Sequence, residues 1–135
     1  MRLIKMMELC KKVYDDSTFN HCMRVAMNAI SNCPDEDKEE TMLYALAHEM
    51  KLTNEVGSDT ICYIVDSLRN KITVDRINNS MIRLNETHLE HVRRLNETDD
   101  FISRNIKRAD LKDSLLYASS EEEFASITNA IIELI

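Results

Sequence analysis

Apolar residues recur at three- and four-residue intervals along most of the chain, the spacing that gathers them on one face of a helix. Leu3, Met6, Met7, Cys10, Val13 and Tyr14 mark a first amphipathic helix, which the polar run Asp15-Asp16-Ser17 brings to an end. A second is predicted over 17–32, with Val25, Ala26, Ala29 and Ile30 as its stripe and His21 one turn earlier on the same face. Cys33-Pro34-Asp35 then opens a third, because proline suits the start of a helix and acids there complement its dipole. This helix is predicted to run to about residue 51, with Leu43, Leu46 and Ala47 inward and His48 and Glu49 just past the stripe. Neighbouring residues on a helix point about 100° apart, so that pair reaches a common point only off the helix end.

The only glycine, Gly57, and the N-capping Ser58 precede a fourth helix built on Ile61, Ile64, Val65 and Leu68. Helical spacing returns over 73–96 through Ile77, Met81, Leu84, Val92 and Leu95, with an interruption near Thr87. Two copies of Arg-Leu-Asn-Glu-Thr, at 83–87 and 94–98, are expected to mark similar helix ends, with Thr87 and Thr98 each preceding a first turn. A further helix over 99–118 is expected to bury Phe101, Ile102, Ile106, Ala109 and Leu116, with Asp110 beside that face. The last begins at the capping box Ser120-Glu121-Glu122-Glu123 and is expected to bury Phe124, Ile127, Ile131 and Leu134.

Composition agrees with this pattern. The chain of 135 residues is 44% apolar, with one Gly and one Pro, which suits one all-α domain, residues 1–135, of about six to seven helices. Cys10, Cys22, Cys33 and Cys62 have no paired spacing and read as reduced thiols; no signal peptide or membrane-length run is present, so a soluble cytoplasmic protein without a membrane partner is expected. Net charge is −7, yet residues 69–112 carry ten Lys/Arg against seven Asp/Glu. That local excess can steer a small anionic ligand and is too slight for an extended nucleic-acid interface.

The chemistry that stands out is the placing of His21, His48, Glu49 and Asp110, on three separate helices, each at the edge of an apolar stripe. Imidazole and carboxylate together are the donors that divalent Mn, Fe, Zn or Mg accept. His88 and His91, three residues apart with Glu86 and Glu90 nearby, form a competing candidate or a scatter of surface histidines. Asp113 shares a face with Asp110 and reads either as a further acid of the site or as solvent-facing.

The segments FNHCMRVA (19–26), MLYALAHEMK (42–51) and SRNIKRADLKDSL (103–115) resemble, in that order, the motifs of the HD superfamily of metal-dependent phosphohydrolases. DTICYIVDSLRNKIT (59–73) and THLEHVRRL (87–95) look like the joining segments of the small alarmone hydrolases, the RelA/SpoT-type domains that act on (p)ppGpp. The resemblance implies an all-α HD-type bundle, His21, His48, Glu49 and Asp110 as metal ligands, Mn as the ion, and a small-molecule nucleotide as substrate, losing its 3′-pyrophosphate. Lys107 matches a family position for binding phosphate, and Arg104, Arg108, Arg93 and Arg94 are further candidates by location.

The chain also departs from that family. Glu49 stands where the second motif ends in Asp, and Ser114 where Asn is usual. Leu52 and Thr53 occupy the places of two water-orienting acids, for which Glu55 is the nearest catalytic substitute. The alternative to an enzyme is therefore a catalytically impaired HD-fold protein that binds nucleotide or a protein partner.

Overall fold

The computed structural model describes residues 2–50, 71–83 and 85–135. The predicted fourth helix lies outside them, as do Leu52, Thr53, Glu55, Cys62 and Leu84. Among the described residues there are seven α-helices and no strand: α1 (Arg2–Val13), α2 (Asp16–Ile30), α3 (Lys38–Ala47), α4 (Lys71–Ser80), α5 (His88–Asn96), α6 (Phe101–Leu116) and α7 (Glu121–Glu133). The expected all-α bundle is thus the observed architecture.

The helix ends follow from local side-chain chemistry. Asp15 caps α2 by accepting from the Thr18 amide at 2.7 Å, and a single 3-10 turn, Asp35–Asp37, leads from Pro34 into α3. Thr87 and Glu90 form a reciprocal capping box on α5. At α7 the Ser120 hydroxyl caps the Glu123 amide, while the Glu123 carboxylate accepts from Ser119 rather than from Ser120. The third helix stops at Ala47, about a turn earlier than its sequence pattern predicts. Two carbonyls exposed by that stop find side-chain donors: His48 Nδ1 donates to Ala45 O at 2.5 Å and the hydroxyl of Tyr14, just past α1, to Leu46 O at 2.7 Å.

Of the two Arg-Leu-Asn-Glu-Thr copies, only the first ends as expected, with Thr87 capping α5. The first lies in the connection before α5, where Asn85 takes a positive φ of 64° that asparagine tolerates well. The second covers the C-terminal end of α5, and the next helix is capped by Asp100, not Thr98. Asp100 accepts from the Ser103 amide and hydroxyl and also receives Arg76 and Asn79 from α4. A carboxylate with four donors is a firmer cap than the Thr98 hydroxyl, which instead donates to Leu95 O at 2.7 Å.

Two apolar clusters meet at α6. Met6, Cys10, Val25, Ala26, Leu43, Leu46 and Ile77 pack with Ile102, Ile106 and Ala109 of α6, whereas its Leu111 joins Val92 of α5, Ile127 and Ala130 of α7, and Leu134 just past α7. Burial in the first cluster pushes the Cys10 thiol up to about 12, so it packs as an uncharged group. Between the clusters α6 buries Ser103, Arg104, Lys107, Asp110 and Asp113, a polar strip that decides where the chemistry sits. Helices α2, α3 and α6 pack against one another.

Three residues expected in the core are outside it: Phe101 is 78%, Leu116 80% and Phe124 51% exposed. All three occupy helix ends, at which a periodic pattern continues although no neighbouring element covers it among the described residues. Phe101 instead lies against the Arg104 guanidinium, 4.7 Å from its ring centre. Ile106→Ala should therefore cost about 2–5 kcal/mol in chemical denaturation, and Phe101→Ala less than about 1 kcal/mol. Equal losses for the two variants would contradict this arrangement.

Candidate metal centre

Four side chains converge where α2, the end of α3 and α6 meet: His21, His48, Glu49 and Asp110 each present one donor atom, all within 4.8 Å of one another. His21 Nε2 lies 2.9 Å from Asp110 Oδ1 and 3.4 Å from Glu49 Oε1. His48 Nε2 lies 3.2 Å from the same Asp110 oxygen and 3.3 Å from the same Glu49 oxygen. The early stop of α3 makes this possible, because His48 caps the helix and Glu49 follows in the turn, both pointing past its end.

Each imidazole is also held from behind. His21 Nδ1 is 2.6 Å from Asp113 Oδ2, and His48 Nδ1 is bonded to Ala45 O. With Nδ1 donating in both rings, the Nε2 atoms face the carboxylates. Two lone pairs aimed at two anionic oxygens repel unless protons or a cation stand between them. The protein's own remedy is protonation: burial opposes charge on His21, yet hydrogen bonds to Asp110 and Glu49 overcome it and hold the ring up at about 10. His48 is likewise raised, by the Asp110 charge and hydrogen bond against full burial. Glu49 and Asp110 are pushed the other way, below the usual carboxylate range, although burial disfavours their charge.

A divalent metal ion fits the same geometry. Bonds of about 2.0–2.2 Å put neighbouring ligand atoms roughly 2.8–3.6 Å apart between octahedral and tetrahedral angles, which brackets the four N···O separations of 2.9, 3.2, 3.3 and 3.4 Å. The cage supplies four donors and opens on a cleft of ≈ 450 Å³ lined by His21, Arg24, Glu49, Asp113, Ser114 and Tyr117, among others, leaving room for water or a ligand oxygen. The cluster can hold a metal ion; its donor set leaves the choice of metal open.

Lys107, 2% exposed, donates to Asp110 Oδ2 at 3.1 Å and to His88 Nδ1 at 2.9 Å, so its ammonium compensates the buried carboxylate from the side away from the imidazoles. The other predicted phosphate-binding cations are not brought there. Arg104 donates to the carbonyls of Thr98 and Leu95 at the end of α5, and Arg108 to Ile135 O. Arg93 pairs with Glu133 and Arg94 with Glu86. Three- and four-residue spacing on α6 brings side chains onto one face only near the backbone; long arginine stems then diverge toward whichever carbonyls lack donors. The competing pair also separates: His91 Nε2 donates to Asn79 O while His88 turns to Lys107, and burial lowers His91 to about 3, keeping it neutral. Asp113 belongs with the cluster, whereas Glu55 lies outside the described residues.

Arg24 is the participant that the sequence pattern passed over. It grips Asp113 at 2.8 and 3.1 Å and stacks over Tyr117 at 4.6 Å. The available signal was its position one turn after His21, mirrored by Asp113 one turn after Asp110. Among the described residues no helix is long and apolar enough to cross a membrane. In comparisons with known proteins the chain matches no family model, no curated protein and no solved structure.

Because a metal takes neutral imidazole, binding at neutral pH must displace protons from His21 and His48, and affinity should climb as pH rises from 6 to 9. Calorimetry of Mn or Zn uptake in two buffers of different ionisation enthalpy should register that release, and a pH-independent affinity would contradict it. For the ion-free chain the sign is opposite. The His21 ion pair contributes stability in full below about pH 6.5, and loses it as pH rises through about 10.

Proposed function

We propose that the chain is an HD-type metal-dependent phosphohydrolase acting on a nucleotide, with a (p)ppGpp-like pyrophosphate ester as preferred substrate and Mn as preferred ion. The observation that carries this reading is the meeting of His21, His48, Glu49 and Asp110 beside an open cleft. They come from α2, the turn that ends α3, and α6, in the order that the HD resemblance implies.

A divalent ion held there supplies Lewis-acid polarisation of a phosphate oxygen and a water of lowered pKa. The chain's own residues then account for recognition. Lys107 offsets the Asp110 charge that would otherwise repel a phosphate, and Arg24, with 43% of its side chain exposed at the cleft, meets phosphate charge through the N–H groups that Asp113 leaves free. Ser17, Thr18 and Asn20, on the first turns of α2, offer further donors along the same wall.

A second reading, a nucleotide-binding or regulatory protein with hydrolysis lost, is favoured by Leu52 and Thr53 standing where water-orienting acids are expected. Incubating the Mn-loaded chain with nucleoside polyphosphates and measuring phosphate and pyrophosphate release separates the two. Release by the wild type, reduced at least about 100-fold in His48→Ala, is the expected result. Binding without release selects the second reading, and neither binding nor release overturns both.

A further inference from the structure

Helices α2 and α6 face each other as a two-rung ladder. His21 and Arg24 stand one turn apart on α2; Asp110 and Asp113 stand one turn apart on α6. The lower rung joins His21 Nε2 to Asp110 and the upper joins Arg24 to Asp113, with His21 Nδ1 reaching Asp113 diagonally at 2.6 Å. Asp113 places no atom in the four-donor group, so its carboxylate touches the centre only through the back of the His21 ring.

The two histidines differ in how that back is secured. His48 leans on a main-chain carbonyl, which no substitution of a side chain removes. His21 leans on a carboxylate that is itself fixed in plane by a two-pronged guanidinium, Nε to Oδ1 at 2.8 Å and Nη2 to Oδ2 at 3.1 Å. Stacking on Tyr117 steadies that guanidinium in turn. Resting on the metal-centre reading above, the geometry assigns Asp113, clamped by Arg24, as the positioning residue of the centre: it sets the tautomer and ring orientation with which His21 presents Nε2 to a cation.

Asp113 can accept one hydrogen bond from Nδ1–H while keeping both of its oxygens on Arg24. Without it, the ring of His21 can rotate or exchange tautomers, and one of four ligands loses its aim. Without Arg24 the carboxylate remains but its plane is free, so the effect should be of the same kind and smaller.

Cobalt(II) is a suitable probe, since its visible absorption reports ligand geometry and its affinity can be read by competition with a chelator. The 135-residue chain is compared with Asp113→Ala, Asp113→Asn and Arg24→Met, each checked for helix content by circular dichroism. Asp113→Ala should bind cobalt about 10- to 100-fold more weakly, with an altered absorption envelope. Asp113→Asn, which keeps an oxygen acceptor for Nδ1–H, should recover part of the loss, and Arg24→Met should fall between the wild type and Asp113→Ala. Wild-type affinity and absorption in both Asp113→Ala and Arg24→Met would overturn the positioning role while leaving the metal centre standing. No cobalt uptake by the wild type would overturn the centre itself. If Asp113→Ala does not fold, Arg24→Met decides, because it leaves the carboxylate in place.

Discussion

A carboxylate that is 3% exposed, in the middle of a helix that packs on both sides, must be compensated by its neighbours, and the arrangement around Asp110 answers that constraint. One oxygen faces His21 and His48; the other takes the Lys107 ammonium. The two imidazoles come from different helices, so satisfying this one group requires α2, the end of α3 and α6 to meet at a set distance. The apolar cluster around Val25, Leu46 and Ile106 holds them at that distance from below. Packing and polar pairing therefore specify the same arrangement, the kind of agreement between levels expected where a sequence encodes one structure.

How much of this was legible in the sequence depended on whether the deciding interaction was local. The 3.6-residue period disclosed the helices of the described residues and the inward face of His21, Leu43 and Ile106, because repetition along one element is visible without knowing its neighbours. The end of α3 was not legible. Its pattern continues past Ala47, and the Leu46 carbonyl freed by the stop is taken by the Tyr14 hydroxyl, 32 residues earlier in the chain, a contact that no local pattern announces. Phe101, Leu116 and Phe124 were misplaced for a related reason: period identifies a face but says nothing about whether another element reaches the end of it.

The candidate site divides in the same way. Short polar side chains with few rotatable bonds, His21, His48 and Asp110, point where their backbone positions direct them, and they were legible as a group. Long cations were not, because a guanidinium travels to whichever carbonyl or carboxylate is in want of a donor. Arg104 serves the end of α5, Arg94 serves Glu86 and the Asn78 carbonyl, and Arg24, which no pattern singled out, serves Asp113. Glu49 illustrates the intermediate case: a methylene longer than aspartate, its side chain still leaves Oε1 within 3.4 Å of both imidazoles.

The separation of the four ligands along the chain has one more consequence. His21 and Asp110 are 89 residues apart and His48 and Asp110 are 62 apart. An ion gripping all of them would close large loops, which in an unfolded chain is the restriction a disulfide imposes, without needing an oxidising environment. Such a staple would join the N-terminal helices to the C-terminal ones at the seam between two apolar clusters. The metal centre would then govern whether those two halves come apart together or separately, and chelation would loosen that seam before it disturbed either cluster.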